Sequence, residues 1–81
     1  MSRKFESEIA SVPSVRMYYM TRRLLGISKM SLENLVEEAP ALHQGPVETL
    51  LDEIRRFLPR IDADLALVCQ REGIDYEKPE D

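Results

Sequence analysis

The feature that most constrains the fold is a heptad-spaced run of apolar residues in the C-terminal half of the chain. Apolar residues that recur at alternating steps of four and three form one stripe along an α-helix and are typical of helix–helix packing. Gly45 and Pro46 suit the start of such a helix, and Gly73 suits its end. The pattern predicts a helix over residues 46–72, about 40 Å long at 1.5 Å per residue. Its apolar positions are Val47, Leu51, Ile54, Leu58, Ile61, Leu65 and Val68.

Pro59 lies inside this predicted helix. An internal proline costs about 3 kcal/mol and removes one backbone hydrogen bond. The apolar phase nevertheless continues across it unchanged, and no polar turn surrounds it. We therefore expect one kinked helix, with two helices separated at Pro59 as the alternative.

Two shorter helices are predicted before it. The first begins within residues 11–14, where a proline suits the first turn, and it ends before Gly26. The second begins at Ser28 or Ser31 and ends at Pro40, because the residue before a proline avoids the α region. The chain as a whole predicts a small all-α domain of three helices, two short and one long.

The expected organisation is a single helical domain over residues 11–74. Residues 1–10 are polar and predict a partly disordered segment, with a weak extension of the first helix over residues 2–10 as the alternative. Residues 75–81 are acidic and predict a disordered tail. A chain of 81 residues buries only about 60% of the surface that its unfolded form exposes. Such a domain usually needs a disulfide, a metal or a partner subunit for stability.

The cysteine and histidine counts favour a partner. Cys69 is the one cysteine and His43 the one histidine, so one chain can form neither a disulfide nor a Cys/His zinc site. A single thiol is typical of a reducing compartment. The first residues lack the apolar region of a secretory signal, and no apolar run approaches the roughly 20 residues of a membrane span. We expect a soluble, cytoplasmic protein that needs no cofactor.

The sequence contains no recognisable catalytic motif. Its three glycines fall at predicted helix boundaries rather than in a phosphate-binding loop. Cys69 follows Val68 on the apolar flank of a helix, as core cysteines do, and His43 is predicted in an exposed loop. Many carboxylates have basic neighbours one helical turn away, as Asp52 has in Arg56, which is typical of a solvated helix face. We expect no enzymatic activity, no small-molecule substrate and no metal.

One short segment resembles a DNA-binding motif. Residues 22–32 read Arg-Arg-Leu-Leu-Gly-Ile-Ser-Lys-Met-Ser-Leu, which resembles the opening of Cro/repressor-type helix-turn-helix domains. The resemblance implies a recognition helix that starts at Pro46 and carries Glu48, Asp52 and Glu53. Such a helix meets DNA with its N-terminal part, where carboxylates repel the phosphates. A degenerate helix-turn-helix transcription regulator is therefore the alternative function, not the leading one.

Charge is divided along the chain. Residues 1–30 carry six basic and two acidic residues (net +4), whereas residues 31–81 carry five basic and thirteen acidic residues (net −8). The two regions are expected to attract each other, within one chain or between two copies. A solvated dipolar surface is the alternative.

Surplus apolar helical surface indicates protein–protein binding. Two short helices can cover only the first half of the long helix, so the half after Pro59 is expected to be exposed and to form a homodimer. The leading hypothesis is a small non-enzymatic regulatory or adaptor protein that binds itself and an unidentified protein. A small subunit or chaperone of a larger assembly is a further alternative. The candidate binding residues are Ile61, Leu65, Val68, Met17, Met20 and Tyr19, because methionine and tyrosine provide adaptable contact surface. Ordinary core packing is the alternative for the methionine and tyrosine residues.

Overall fold

A computed structural model describes residues 3–38 and 45–79 of the chain. These residues form three α-helices and no strand: α1 at Arg3–Ala10, α2 at Pro13–Glu38 and α3 at Pro46–Arg71. The predicted all-α class is confirmed. The predictions for residues 39–44, namely the helix end at Pro40, the loop and the exposure of His43, lie outside the described residues.

The middle of the chain forms one long helix, so the prediction of two short helices there is wrong. α2 continues through Gly26 and Ser28, where the sequence predicted a helix end and a second helix start. Gly26 is buried inside α2, and the roughly 1 kcal/mol that a glycine costs in a helix is small beside the packing of 26 residues. Residues 22–32 therefore contain no turn, and their resemblance to a helix-turn-helix does not extend to the fold.

α3 confirms the helix predicted from the heptad spacing. It begins at Pro46 and runs through Pro59 without interruption, so the alternative of two separate helices is wrong. The N–H of Gly73 donates to the carbonyl of Gln70 at 3.2 Å, which belongs to a Schellman ending. Gly73 has a φ of 72°, a conformation that glycine adopts without strain from a Cβ atom.

Residues 3–10 of the N-terminal segment are helical, which differs from the predicted partial disorder. Phe5 and Ile9 lie one turn apart in α1, and both are buried. Phe5 packs edge-to-face against Tyr19 with ring centroids 5.2 Å apart, and Tyr76 completes the aromatic group at 6.1 Å from Phe5. Two apolar residues at helical spacing are thus enough to dock an otherwise polar segment.

One core cluster joins α1, the first half of α2, the last half of α3 and the residues after its ending. Its buried members are Phe5, Ile9, Val15, Tyr19, Leu65, Cys69 and Ile74. Ile61 and Val68 are partly buried against this cluster, and Leu65 is 0% exposed. The expectation that the half of α3 after Pro59 is left uncovered is therefore wrong. Phe5 and Ile9 of α1 belong to the same cluster and Tyr76 packs against it, although the sequence predicted both segments to be disordered.

The fold has more surface than a compact domain of its size. Its radius of gyration is 14.9 Å, whereas a compact domain of this length has about 12 Å. Its accessible surface is 5880 Å², whereas a monomer of this mass has about 5000 Å². The excess follows from the architecture, an elongated α2–α3 hairpin with α1 packed at one end.

Candidate protein-binding surface

An exposed apolar stripe runs along α2, and we call it the outer stripe. Its members are spaced three, four and three residues apart, so they share one face of the helix. Met17 is 71% exposed and Leu24 is 61% exposed, which leaves most of each side chain in contact with solvent. The outer stripe consists of Met17, Met20, Leu24 and Ile27.

The outer stripe lies opposite the face of α2 that packs in the protein's own core. Residues two apart on an α-helix point about 160° away from each other. Three such pairs combine an exposed apolar side chain with a buried residue: Met17 with Val15, Met20 with Arg22, and Leu24 with Gly26. α2 therefore carries a second apolar face that its own fold does not cover.

A continuous stripe of this kind differs from scattered exposed residues. Single exposed apolar side chains are normal on protein surfaces, whereas contiguous apolar patches mark interaction sites. The outer stripe extends about 15 Å along the helix axis, at 1.5 Å per residue. An open depression of about 450 Å³ lies at its N-terminal end and is lined by Ala10, Pro13, Arg16, Met17, Met20 and Thr21. The surface thus offers both a ridge and a recess for a partner side chain.

The structure separates the predicted binding residues into two groups. Met17 and Met20 lie on the outer stripe, where a binding role stays a prediction. Tyr19 and Leu65 are buried in the core cluster, with Ile61 and Val68 partly buried against it, so these four side chains do not form an exposed surface. Their apolar character serves the fold of the single chain.

Leu24 and Ile27 are the surface residues that the sequence analysis missed. The sequence does contain a pattern that indicates them, because Leu24 and Ile27 continue the helical spacing of Met17 and Met20. The predicted helix end at Gly26 divided the stripe between two helices and hid it.

The exposed apolar residues of α3 form no comparable stripe. Leu50 and Phe57 are seven residues apart, and Leu67 is exposed on its own further along the helix. On α2, the Tyr18 hydroxyl donates to the Asp64 carboxylate of α3 at 3.2 Å, so this exposed ring is tied to the fold by its polar end.

Charge is segregated along α2. Residues 13–30 carry four basic and no acidic residues, whereas residues 31–38 carry three acidic and no basic residues. Some of these charges are used within the fold, such as Lys29, whose ammonium lies 3.6 Å from the Glu33 carboxylate. The exposed charges beside the outer stripe are basic towards its start and acidic beyond its end: Arg16, Arg23, Glu37 and Glu38.

A buried ionic cluster lies between α2, α3 and the C-terminal residues. The Arg22 side chain is 0% exposed, and its Nε donates to Asp62 Oδ1 at 2.7 Å. The Tyr76 hydroxyl donates to the same oxygen at 2.6 Å, and the Lys78 ammonium lies 3.8 Å from Asp62 Oδ2. The start of the predicted disordered tail is therefore attached to α3 through Tyr76 and Lys78.

The pKa shifts of this cluster indicate a structural role. Burial by itself raises the pKa of Asp62, but hydrogen bonds from Arg22 and Tyr76 and the nearby positive charges outweigh burial, so the pKa lies below its ordinary value. Burial and the Asp62 carboxylate raise the pKa of Tyr76. At neutral pH the carboxylate is charged and the phenol is neutral, which favours a fixed ion pair over proton exchange.

Three observations concern metal binding, thiol reactivity and membrane insertion in the described part of the chain. Residues 3–38 and 45–79 contain no group of three His, Cys, Asp or Glu side chains placed to hold a metal ion. Burial raises the pKa of the Cys69 thiol, which disfavours the reactive thiolate. Among the helices of these residues, none combines the length and apolar character needed to cross a bilayer.

The comparisons with known proteins add no assignment. No protein-family model, no curated protein and no solved structure matches the chain. Evidence on function therefore comes from the surface of α2 and the charges beside it.

Proposed function

We propose that this protein is a small non-enzymatic regulatory or adaptor protein that binds another protein chain through the outer stripe of α2. One observation carries the proposal: α2 buries one apolar face in its own fold and leaves a second apolar face, on the opposite side, in solvent. A surface helix of a monomer normally has a polar outer face. A helix with two apolar faces has room for a second packing partner.

The composition of the outer stripe suits protein recognition. Met17 and Met20 have flexible, polarisable side chains that adapt to a partner, and Leu24 and Ile27 supply branched apolar surface. A helix of the partner, laid along the stripe, would bury these residues in a helix–helix packing arrangement. The charged residues beside the stripe would then set the orientation and the choice of partner more than the affinity. A cytoplasmic location is part of the proposal and suits a protein whose one thiol is buried.

Site-specific photo-crosslinking in the native cells tests the proposal. A photoreactive phenylalanine analogue replaces Met20, and in a matched control it replaces Leu67, which is 58% exposed on α3. We expect discrete protein adducts from position 20 and none of the same mass from position 67. Absence of adducts from position 20, or the same adducts from both positions, would refute the assignment of the outer stripe.

A further inference from the structure

We propose that the C-terminal end of the outer stripe, Leu24 and Ile27, packs against the same two residues of a second copy of this chain, with the two α2 helices antiparallel. The inference rests on the proposed function and names the binding partner. The resulting dimer would have α2 of each copy at its centre and α3 of each copy on the outside. Homodimerisation would thus use α2 and not the end of α3, where the sequence analysis located it.

The charge order of α2 is the first argument for a second copy. A helix has a partial positive charge at its N-terminus and a partial negative charge at its C-terminus, so acidic residues suit its start and basic residues suit its end. α2 has the reverse order, with no acidic residue in its first turn and no basic residue in its last turn. Arg16 is exposed near the start and Glu37 near the end. Electrostatics within a single helix disfavour this order, whereas an antiparallel copy brings each charged end beside its opposite.

The same charges disfavour a parallel arrangement. Glu38 continues the heptad spacing of the outer stripe, two heptads after Leu24, so in a parallel pair it would face Glu38 of the other copy. The exposed Arg16 and Arg23 of both copies would also lie along the same half of the pair. Like charges in or beside a packed seam are destabilising. In an antiparallel pair, the acidic end of one α2 lies along the basic end of the other.

The charges of α2 and the Leu24–Ile27 end of the outer stripe together locate the two-fold axis. An alignment that places Leu24 opposite Ile27 of the second copy puts the axis near the middle of α2. It brings Met20 beside Ser31 of the second copy and Arg16 near Glu37. The two copies then offer the same surface to each other, which gives a closed dimer rather than a filament.

The proportions of the single chain are consistent with this assembly. The radius of gyration of 14.9 Å and the accessible surface of 5880 Å² both exceed the values of a compact monomer. Two elongated hairpins packed through α2 would form a more compact helical bundle.

The oligomeric state and its dependence on the outer stripe provide the first test. Light scattering coupled to size exclusion measures the mass of the full chain and of two variants, Leu24→Asp and the matched control Leu67→Asp, with helix content followed by circular dichroism. We expect dimers for the wild type and for Leu67→Asp, and a helical monomer for Leu24→Asp. A wild-type monomer at 100 μM, or a dimer that survives Leu24→Asp, would overturn the proposal. If Leu24→Asp does not fold, Leu24→Gln takes its place. We expect its dimer dissociation constant to be at least tenfold higher than that of the wild type, and an unchanged dissociation constant would overturn the proposal.

The orientation of the two helices provides the second test. A nitroxide spin label is attached at Ser14→Cys, an exposed position in the first turn of α2. Wild-type protein with its buried Cys69 serves as the labelling blank. The antiparallel arrangement separates the two labels by about 35 Å along the helix axis, at 1.5 Å per residue from the midpoint. A parallel pair would bring them within about 10–15 Å, since packed helices lie 8–10 Å apart. The longer distance supports the proposal and the shorter one contradicts it.

The two proposals can fail independently. If the purified chain is monomeric while position 20 crosslinks to a different protein in cells, the protein-binding function stands and the self-association is refuted. If the purified chain is monomeric and position 20 yields no adduct, both are refuted. A dimer that depends on Leu24, together with adducts of twice the chain mass, supports both.

Discussion

The substitution Asp62→Asn tests how the buried ionic cluster holds the fold together. The new amide would keep the size of the side chain and remove the charge that Arg22 contacts at 2.7 Å. Removal of one member of a buried ion pair typically costs 3–5 kcal/mol. Because the Asp62 side chain is 13% exposed, we take the lower end, about 3 kcal/mol.

This loss is large relative to the stability of a domain of this size. At 0.05–0.15 kcal/mol per residue, an 81-residue chain has about 4–12 kcal/mol of unfolding free energy. A loss of about 3 kcal/mol corresponds to a decrease in Tm of about 12–24 °C. The lost stability would come with release of the C-terminal residues, because Tyr76 donates to the same carboxylate.

Urea denaturation followed by circular dichroism measures the effect. The matched control is Asp64→Asn, which replaces the exposed carboxylate that accepts from the Tyr18 hydroxyl with an uncharged amide and should cost less than about 1 kcal/mol. The low pKa of Asp62 also predicts that wild-type stability is lost as the pH falls below about 4 and that Asp62→Asn weakens this acid dependence. A loss below about 1 kcal/mol for Asp62→Asn, the range of an exposed ion pair, would refute the reasoning.

Three further predictions concern the helix ending, the thiol and the aromatic side chains. Gly73→Ala should lower the unfolding free energy by about 1 kcal/mol in urea titration, because alanine is strained at a positive φ; an unchanged value would argue against the Schellman ending. Cys69 should react with Ellman's reagent at least a hundredfold faster in urea than in the native state, since its side chain is fully buried; fast native labelling would contradict the core assignment. Burial raises the pKa of every tyrosine, so the folded state keeps these side chains neutral to higher pH than the unfolded state does. The corresponding part of the unfolding free energy is present below pH 10 and should be lost as the pH rises further, and absorbance at 295 nm should detect no tyrosinate below about pH 10. The residues concerned are Tyr18, Tyr19 and Tyr76.

The sequence was most informative where local and tertiary signals agree. For α3, the heptad spacing, the proline at its start and Gly73 at its end all indicate the same helix, and the structure has it at Pro46–Arg71. For α2, the local signals of Gly26 and Ser28 favour a break, but packing maintains a continuous helix. Local propensity is a weak predictor in such a case, because the tertiary contacts of a long helix outweigh one glycine.

The buried cluster lay beyond what sequence reasoning could find. Arg22 and Asp62 are 40 residues apart in the chain, and each looks like an ordinary surface residue of an amphipathic helix. Their pairing depends on the register between α2 and α3, which no local pattern encodes. α1 was missed for a related reason, since Phe5 and Ile9 are too few to predict a helix until a docking surface is known.

The continuity of α2 through Gly26 overturns the predicted helix end and also creates the proposed binding surface. Once α2 is treated as one helix, its sequence contains two apolar series: a buried one through Val15 and Tyr19 and an exposed one through Met17, Leu24 and Ile27. The buried series packs on α3 and α1. Because the described α1 and C-terminal residues pack with the buried series, they leave the exposed series open to solvent. The break at Gly26 that the sequence suggested would have divided the exposed series, so the continuity of α2 is what turns separate apolar residues into a binding surface.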